Sequence, residues 1–185
     1  MLRQLPHLLT LIRLFASPCI AWLLLRSRFE EALGVVFVAG LTDWFDGFAA
    51  RRLQVSGKLG VILDPLADKA LLMTLFLVLG IVRLLPAWLV ILVIGRDLVI
   101  LVGALLLRFT RNIRQFIPSP LGKISTFFQI VLGLLVLIHA AFPNQFFLCL
   151  RNTALIASAS FTALSGLDYV RRGIQMANQA SFSSL

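Results

Sequence analysis

Negative charge is what this chain most lacks: of its 185 residues only eight are Asp or Glu, and all charged residues together make up 14%. Soluble globular domains carry about a quarter of their residues as charges, so a water-exposed domain is excluded. Disorder is excluded too, since it requires low hydrophobicity and 59% of this chain is apolar. Cysteine is scarce: Cys19 and Cys149 stand alone in apolar stretches, with no Cys-x-x-Cys or Cys/His spacing, which rules out a disulfide framework and a zinc site. His7 and His139 have no partner pattern and read as interfacial or core residues.

Long apolar runs are abundant. They lie near 5–25, 31–50, 61–82, 86–107, 122–142 and 147–168, each bounded by charges or turn formers. A membrane helix needs about 20 residues, so the reading is an all-α, polytopic membrane protein. It is expected to be a six-transmembrane-helix bundle, a single membrane domain over 1–185 with no room for a soluble one. The first run resembles a signal peptide in following Arg3, but Arg13 and Pro18 interrupt it and it is long for a cleaved segment.

The net charge of +9 comes from 17 basic residues against the eight acids. These bases sit singly or in twos between apolar runs and form no polar face, so nucleic-acid binding is not expected. They do report orientation. Arg3, Arg51, Arg52, Lys58, Arg108, Arg111, Arg114, Lys123, Arg171 and Arg172 fall on one side, and Arg26, Arg28, Arg83 and Arg151 on the other. Short cytoplasmic loops are enriched in Lys and Arg. Both termini, and the loops after the second and fourth spans, are therefore expected in the cytoplasm, as in a bacterial inner membrane. Arg13, Lys69 and Arg96 fall within spans, where a charge costs about 2.5–3.5 kcal/mol on insertion scales and calls for a functional explanation.

Half of the scarce acids occur together: Asp43, Asp46, Asp64 and Asp68. Asp43 and Asp46 are three apart near the cytoplasmic end of the second span; Asp64 and Asp68 are four apart near the start of the third. Each pair shares a helix face, and the short connection 52–59 makes the two helices antiparallel neighbours. All four carboxylates are expected to converge just inside the cytoplasmic boundary. Four ionised carboxylates beside a low-dielectric slab repel one another and take up protons or cations. Oxygen ligands without His or Cys select hard ions such as Mg²⁺, Mn²⁺ or Ca²⁺ over zinc, and four Asp suit a pair of them, the arrangement that clamps attacking and leaving oxygens in phosphoryl-type transfer. Gly47, Ala50 and Gly60 leave room for a phosphate-bearing ligand, and Arg51 is a phosphate partner beside them.

Written out, the segment is Asp43-x2-Asp46-Gly47-x2-Ala50-Arg51-x8-Gly60-x3-Asp64-x3-Asp68. It resembles the signature of the CDP-alcohol phosphatidyltransferase family at every fixed position. Pro6, Leu9, Thr10 and Arg13 are similar to the family's first-helix start, and Lys123, Thr126 and Gln129 to its fifth-helix start. The resemblance implies transfer of a phosphatidyl group from CDP-diacylglycerol to an alcohol acceptor, with release of CMP. It also implies Asp43, Asp46 and Asp64 as ligands of two Mg²⁺ or Mn²⁺ ions, and Asp68 as the catalytic base, also touching metal. Gly47, Ala50, Arg51 and Gly60 would line the CDP site, and the protein would be a homodimer.

Two branches of the family compete over the acceptor. Thr42-Asp43-Trp44-Phe45-Asp46-Gly47-Phe48 resembles the phosphatidylglycerophosphate synthases, which use glycerol 3-phosphate. Gly95-Arg96-Asp97 resembles the cardiolipin synthases, which use phosphatidylglycerol, and Ser125 stands where the glycerol-phosphate enzymes tend to carry a second lysine. An acceptor phosphate needs several cations; the candidates are Arg96, Lys123, Arg108, Arg111 and Arg114, and glycerol 3-phosphate is the favoured acceptor. A cation transporter is the reading from another class. It should distribute polar groups along a path, whereas these carboxylates gather at one end of their helices.

Overall fold

The computed structural model describes the backbone of residues 5–53, 60–111 and 119–182, and side chains within 15–42, 69–103 and 119–175. The described residues form six α-helices and no strand: α1 Leu5–Leu25, α2 Phe29–Leu53, α3 Gly60–Ile81, α4 Ala87–Arg111, α5 Pro120–Ala141 and α6 Gln145–Phe182. Each expected span falls on one of them. The last helix runs well past the expected end, to Phe182, and α4 reaches Arg111. Hydropathy stops where charge begins, but Arg, Gln and Met are good helix formers, so the backbone continues.

Local chemistry sets the helix ends. α5 starts at Pro120 because Ser119 caps it: Ser119 Oγ accepts the Gly122 N–H at 3.0 Å, and proline fits the first helical position, where no N–H is needed. Asn144 caps α6 in the same way, its Oδ1 accepting the Phe146 N–H at 3.0 Å. Glu30 and Glu31 lie in the first turn of α2, next to its positive end, and Glu31 accepts from Arg28 Nε at 2.6 Å. After α1 and α3 the chain turns through a left-handed residue, Ser27 (φ 57°) and Arg83 (φ 59°) respectively. In each turn the next N–H reaches back to close the helix, Arg28 to the Leu23 carbonyl and Leu84 to the Leu79 carbonyl, both at 2.9 Å.

The helices divide into two compact units. One comprises Met1–Leu85 and Gly133–Leu148, the other Pro86–Leu132 and Cys149–Leu185. In the first, α1 packs against both α2 and α3, and Ile20, Leu24, Phe76 and Leu79 are buried. A Cβ at Gly133 would lie 2.9 Å from Leu75 Cδ2, so this glycine is what lets α3 and α5 approach so closely.

The second unit is built inside out by the standard of a soluble bundle. Ala154, Ser158, Thr162, Ser165 and Tyr169 recur every three or four residues along α6 and are all buried. Ile156, Leu164, Leu167 and Ile174 of the same helix are exposed. In α4, Arg96 and Asp97 are buried while Ile91, Leu98 and Val99 face outward. All the buried polar residues except Ser17 belong to this unit, among the described residues. Polar faces inward and apolar faces outward suit lipid surroundings, where hydrogen bonds and close packing hold helices together. Among the described residues two helical segments are long and apolar enough to cross a bilayer, Pro120–Ala141 and Gln145–Gln175; Phe15–Leu25 and Lys69–Ile81 are shorter apolar stretches. The described residues are thus all-helical, and their apolar outer surface is that of a membrane protein.

A side chain in the left-handed region costs about 1–2 kcal/mol relative to glycine. Because Arg83 is exposed, Arg83→Gly is expected to raise stability by about 0.5–1 kcal/mol, after the added freedom of the unfolded chain is subtracted. The midpoint of thermal unfolding in detergent checks this.

Candidate active site

The acidic pattern divides between two helices. α2 carries Asp43, Asp46, Gly47, Ala50 and Arg51 in its C-terminal half, where free carbonyls add negative potential that favours cations. α3 opens with Gly60 and carries Asp64 and Asp68 within its first three turns. Positions 43 and 46 lie on one face of α2, and 64 and 68 on one face of α3. Both helices pack against α1. The side chains of these residues, the connection 54–59 and the expected convergence of the four carboxylates lie outside the described residues. Among the described residues, no group of three or more His, Cys, Asp or Glu could hold a metal ion. The donor set itself, four carboxylates on two helices that share a partner, fits hard divalent ions.

In the second unit the structure shows what the mid-span charge at position 96 does. Arg96 is buried, at 9% exposure. Its NH1 donates to Asp97 Oδ1 at 2.7 Å, and Nε and NH2 donate to Ser165 Oγ at 3.2 and 2.8 Å. NH2 also reaches the Gly122 carbonyl at 3.4 Å. The guanidinium carbon lies 5.5 Å from the centre of the Tyr169 ring, within cation–π range. Tyr169 in turn accepts the Ser119 N–H on its hydroxyl oxygen at 3.0 Å. α4, the start of α5 and α6 are thereby tied at one point.

Lys123 stands in the first turn of α5 and is exposed, beside this knot. Ser125 turns the other way: it is fully buried, hydrogen-bonded with Thr162 at 3.1 Å and accepting from Gln129 Nε2 at 3.3 Å. Gln129 Nε2 also donates to Thr162 Oγ1 at 3.0 Å. Position 125 thus serves α5–α6 packing in this chain. Arg108 and Arg111 lie in the last turns of α4, with side chains outside the described residues, and Arg114 lies wholly outside them.

Sequence reasoning missed Ser119, Gly122, Ser165 and Tyr169. Signals were present: Tyr169 is the single tyrosine of the chain, and Ser158, Thr162, Ser165 and Tyr169 form a polar stripe at helical spacing inside an apolar run.

The model of the family described as CDP-alcohol phosphatidyltransferase matches residues 3–164, a stretch that holds all four aspartates, Arg96 and Lys123, and stops short of Ser165 and Tyr169. A CDP-diacylglycerol--glycerol-3-phosphate 3-phosphatidyltransferase of Aquifex aeolicus is 35% identical over 178 residues, 92% of this chain and 96% of that protein. One of Bacillus subtilis is 32% identical over 187 aligned residues, 90% of this chain and 93% of its own length. The cardiolipin synthase (CMP-forming) of Rattus norvegicus is 37% identical over 116 residues, 62% of this chain but 37% of that protein. The chain belongs to the CDP-alcohol phosphatidyltransferase family, and it is accordingly a phosphatidyltransferase enzyme.

A Cβ at Gly122 would meet the Tyr169 hydroxyl at 2.7 Å and Arg96 NH2 at 3.1 Å. Because both partners are buried and engaged, neither moves freely. Gly122→Ala is expected to destabilise by about 1–3 kcal/mol, the usual cost of overpacking. Tyr169→Phe alone strands the Ser119 N–H and costs about 1–3 kcal/mol, yet it removes the closest contact of the new methyl, the hydroxyl at 2.7 Å. The double variant should therefore unfold at a higher denaturant concentration than the sum of the two losses allows.

Proposed function

We propose that this enzyme moves the phosphatidyl group of CDP-diacylglycerol onto the hydroxyl of glycerol 3-phosphate, releasing CMP, and so acts as a phosphatidylglycerophosphate synthase in phospholipid biosynthesis. The observation that carries the reading is the acid pattern on α2 and α3, two helices that both pack against α1. Similarity to glycerol-3-phosphate enzymes along nearly the whole chain supports the acceptor.

In this reading Asp43, Asp46, Asp64 and Asp68 hold two divalent ions, Mg²⁺ or Mn²⁺. Bound there, the ions supply charge neutralisation for the pyrophosphate and for the departing CMP. Gly47, Ala50 and Gly60 let the nucleotide approach the backbone, and Arg51 pairs with a phosphate oxygen. Asp68 takes the proton from the acceptor hydroxyl as that oxygen bonds to the phosphatidyl phosphorus. The bond from this phosphorus to the CMP oxygen breaks, and CMP leaves with the electron pair. Lys123, with Arg108, Arg111 and Arg114, gathers the acceptor phosphate.

The reading extends to one domain of six membrane spans, with both termini and the site facing the cytoplasm of a bacterial cell, and to a homodimer. The basic residues gathered on one side of the spans support the orientation; the dimer rests on family resemblance. A site at the cytoplasmic border suits the substrates, since CDP is water-soluble and the acyl chains need lipid. A second acceptor, phosphatidylglycerol, is favoured by Gly95-Arg96-Asp97, by Ser125 and by likeness to the rat cardiolipin synthase.

Purified protein with CDP-diacylglycerol and Mg²⁺ or Mn²⁺ should release CMP with glycerol 3-phosphate and far less with phosphatidylglycerol; the reverse ranking would transfer the assignment to the cardiolipin branch. Asp68→Asn is expected to lower kcat by about 10²–10⁴-fold, the span of general-base contributions, with a smaller rise in the Mg²⁺ concentration giving half-maximal rate than the loss of Asp43 or Asp64 causes. Asp43→Asn and Asp64→Asn should raise that concentration as well. Unchanged turnover in Asp68→Asn would remove it as the base.

A further inference from the structure

Arg96 was a candidate for direct contact with the acceptor, but its surroundings indicate a different task. A guanidinium has five N–H donors and accepts nothing. All three nitrogens of Arg96 already donate within the protein, to Asp97, Ser165 and Gly122. The adjacent Asp97 carboxylate neutralises its charge at 2.7 Å, and its side chain is 7% exposed. These bonds use four of the five N–H groups, so a two-pronged grip on an anion would mean breaking buried, charge-assisted bonds.

What these bonds do is fix the entrance of α5. The Gly122 carbonyl is held by Arg96 at 3.4 Å, and the Ser119 N–H by the Tyr169 hydroxyl at 3.0 Å. Inside the turn, Ser119 Oγ accepts the Gly122 N–H at 3.0 Å and the Ser119 carbonyl accepts the Lys123 N–H at 3.3 Å. The first turn of α5 is thus pinned from α4 and from α6, and the next residue after the pinned carbonyl is the exposed Lys123. Gly122 permits the arrangement, since a Cβ there would meet both Tyr169 and Arg96.

We propose that Arg96, together with Ser165 and Tyr169, is a positioning device for acceptor binding, acting through Gly122 to set where Lys123 presents its ammonium to the acceptor's phosphate. The proposal rests on the reading of Lys123 as an acceptor contact. Ser165 and Tyr169 lie beyond the end of the family match at residue 164, so this half of the device is carried by the chain's own C-terminal helix. A displacement of about 1 Å in a substrate-holding group can cost as much as a hundredfold. Loosening the knot should therefore appear as weakened use of the acceptor.

The test is steady-state kinetics on the full chain in mixed micelles, with glycerol 3-phosphate varied at saturating CDP-diacylglycerol and the reverse. The variants are Lys123→Gln, Tyr169→Phe, Ser165→Ala, Arg96→Lys, and each of the last three combined with Lys123→Gln. Tyr169→Phe keeps the ring against Arg96 and is the mildest, so the test survives if an Arg96 variant fails to fold. Expected is a roughly tenfold to hundredfold rise in the glycerol 3-phosphate KM for Tyr169→Phe and Arg96→Lys. kcat and the CDP-diacylglycerol KM should move much less, and neither substitution should raise the acceptor KM further once Lys123 is Gln. Lower thermal stability with the acceptor KM unchanged would overturn the proposal, as would effects that multiply in the double variants. A Lys123→Gln variant with normal acceptor KM would remove the lysine and the proposal together, whereas no CMP release from the unaltered protein with either acceptor would sink the proposed function itself.

Discussion

A charge placed among apolar helices has to be compensated where it stands, because water is not there to do it. That constraint shapes both polar regions of this chain. In the second unit the compensation is internal: Arg96 meets Asp97, Ser165 and Gly122 and lies over Tyr169. On the proposed reading of the first unit, compensation comes from outside the chain. The basic residues nearest to Asp43, Asp46, Asp64 and Asp68 on their helices are Arg51, Arg52 and Lys69, and four carboxylates held together would demand cations of higher charge. The contrast separates a cluster that has satisfied itself and does mechanical work from one that calls for a ligand and does chemistry.

The same constraint explains why the second unit buries a polar stripe and turns apolar side chains outward. In water, burying a leucine contributes about 1.5–3 kcal/mol; against lipid the gain nearly vanishes, since acyl chains are as apolar as the side chain. What then distinguishes one helix register from another is the closeness of packing, as at Gly133 against Leu75, and the buried hydrogen bonds among Ser125, Gln129 and Thr162. These set the register of α5 on α6, and with it the position of the turn that carries Lys123.

Much of the fold was legible in the sequence, because a run of about 20 apolar residues admits few alternatives to a helix. The ends were less so. Ser119 and Pro120 form a cap that hydropathy does not see, and α6 continues to Phe182 through residues that are polar yet helix-forming. The acidic pattern was legible for a different reason: acids are rare here, and their three- and four-residue spacings declare a shared face. The Arg96 knot was only half legible. Arg96 and Asp97 adjoin in sequence, but Ser165 is 69 residues away, and no local pattern announces a partner at that distance. Ser125 illustrates the converse, a position whose chemistry suggested a missing cation and whose surroundings prove to be helix packing.

On the proposed reading, the four aspartates of α2 and α3 form a nest for two divalent ions. Electron paramagnetic resonance of Mn²⁺ titrated into the purified, detergent-solubilised protein counts bound ions without any turnover. Two saturable sites per chain are expected, and both should disappear when Asp43 and Asp64 are changed to Asn together. No saturable binding, or the same binding in the doubly substituted protein, would contradict it.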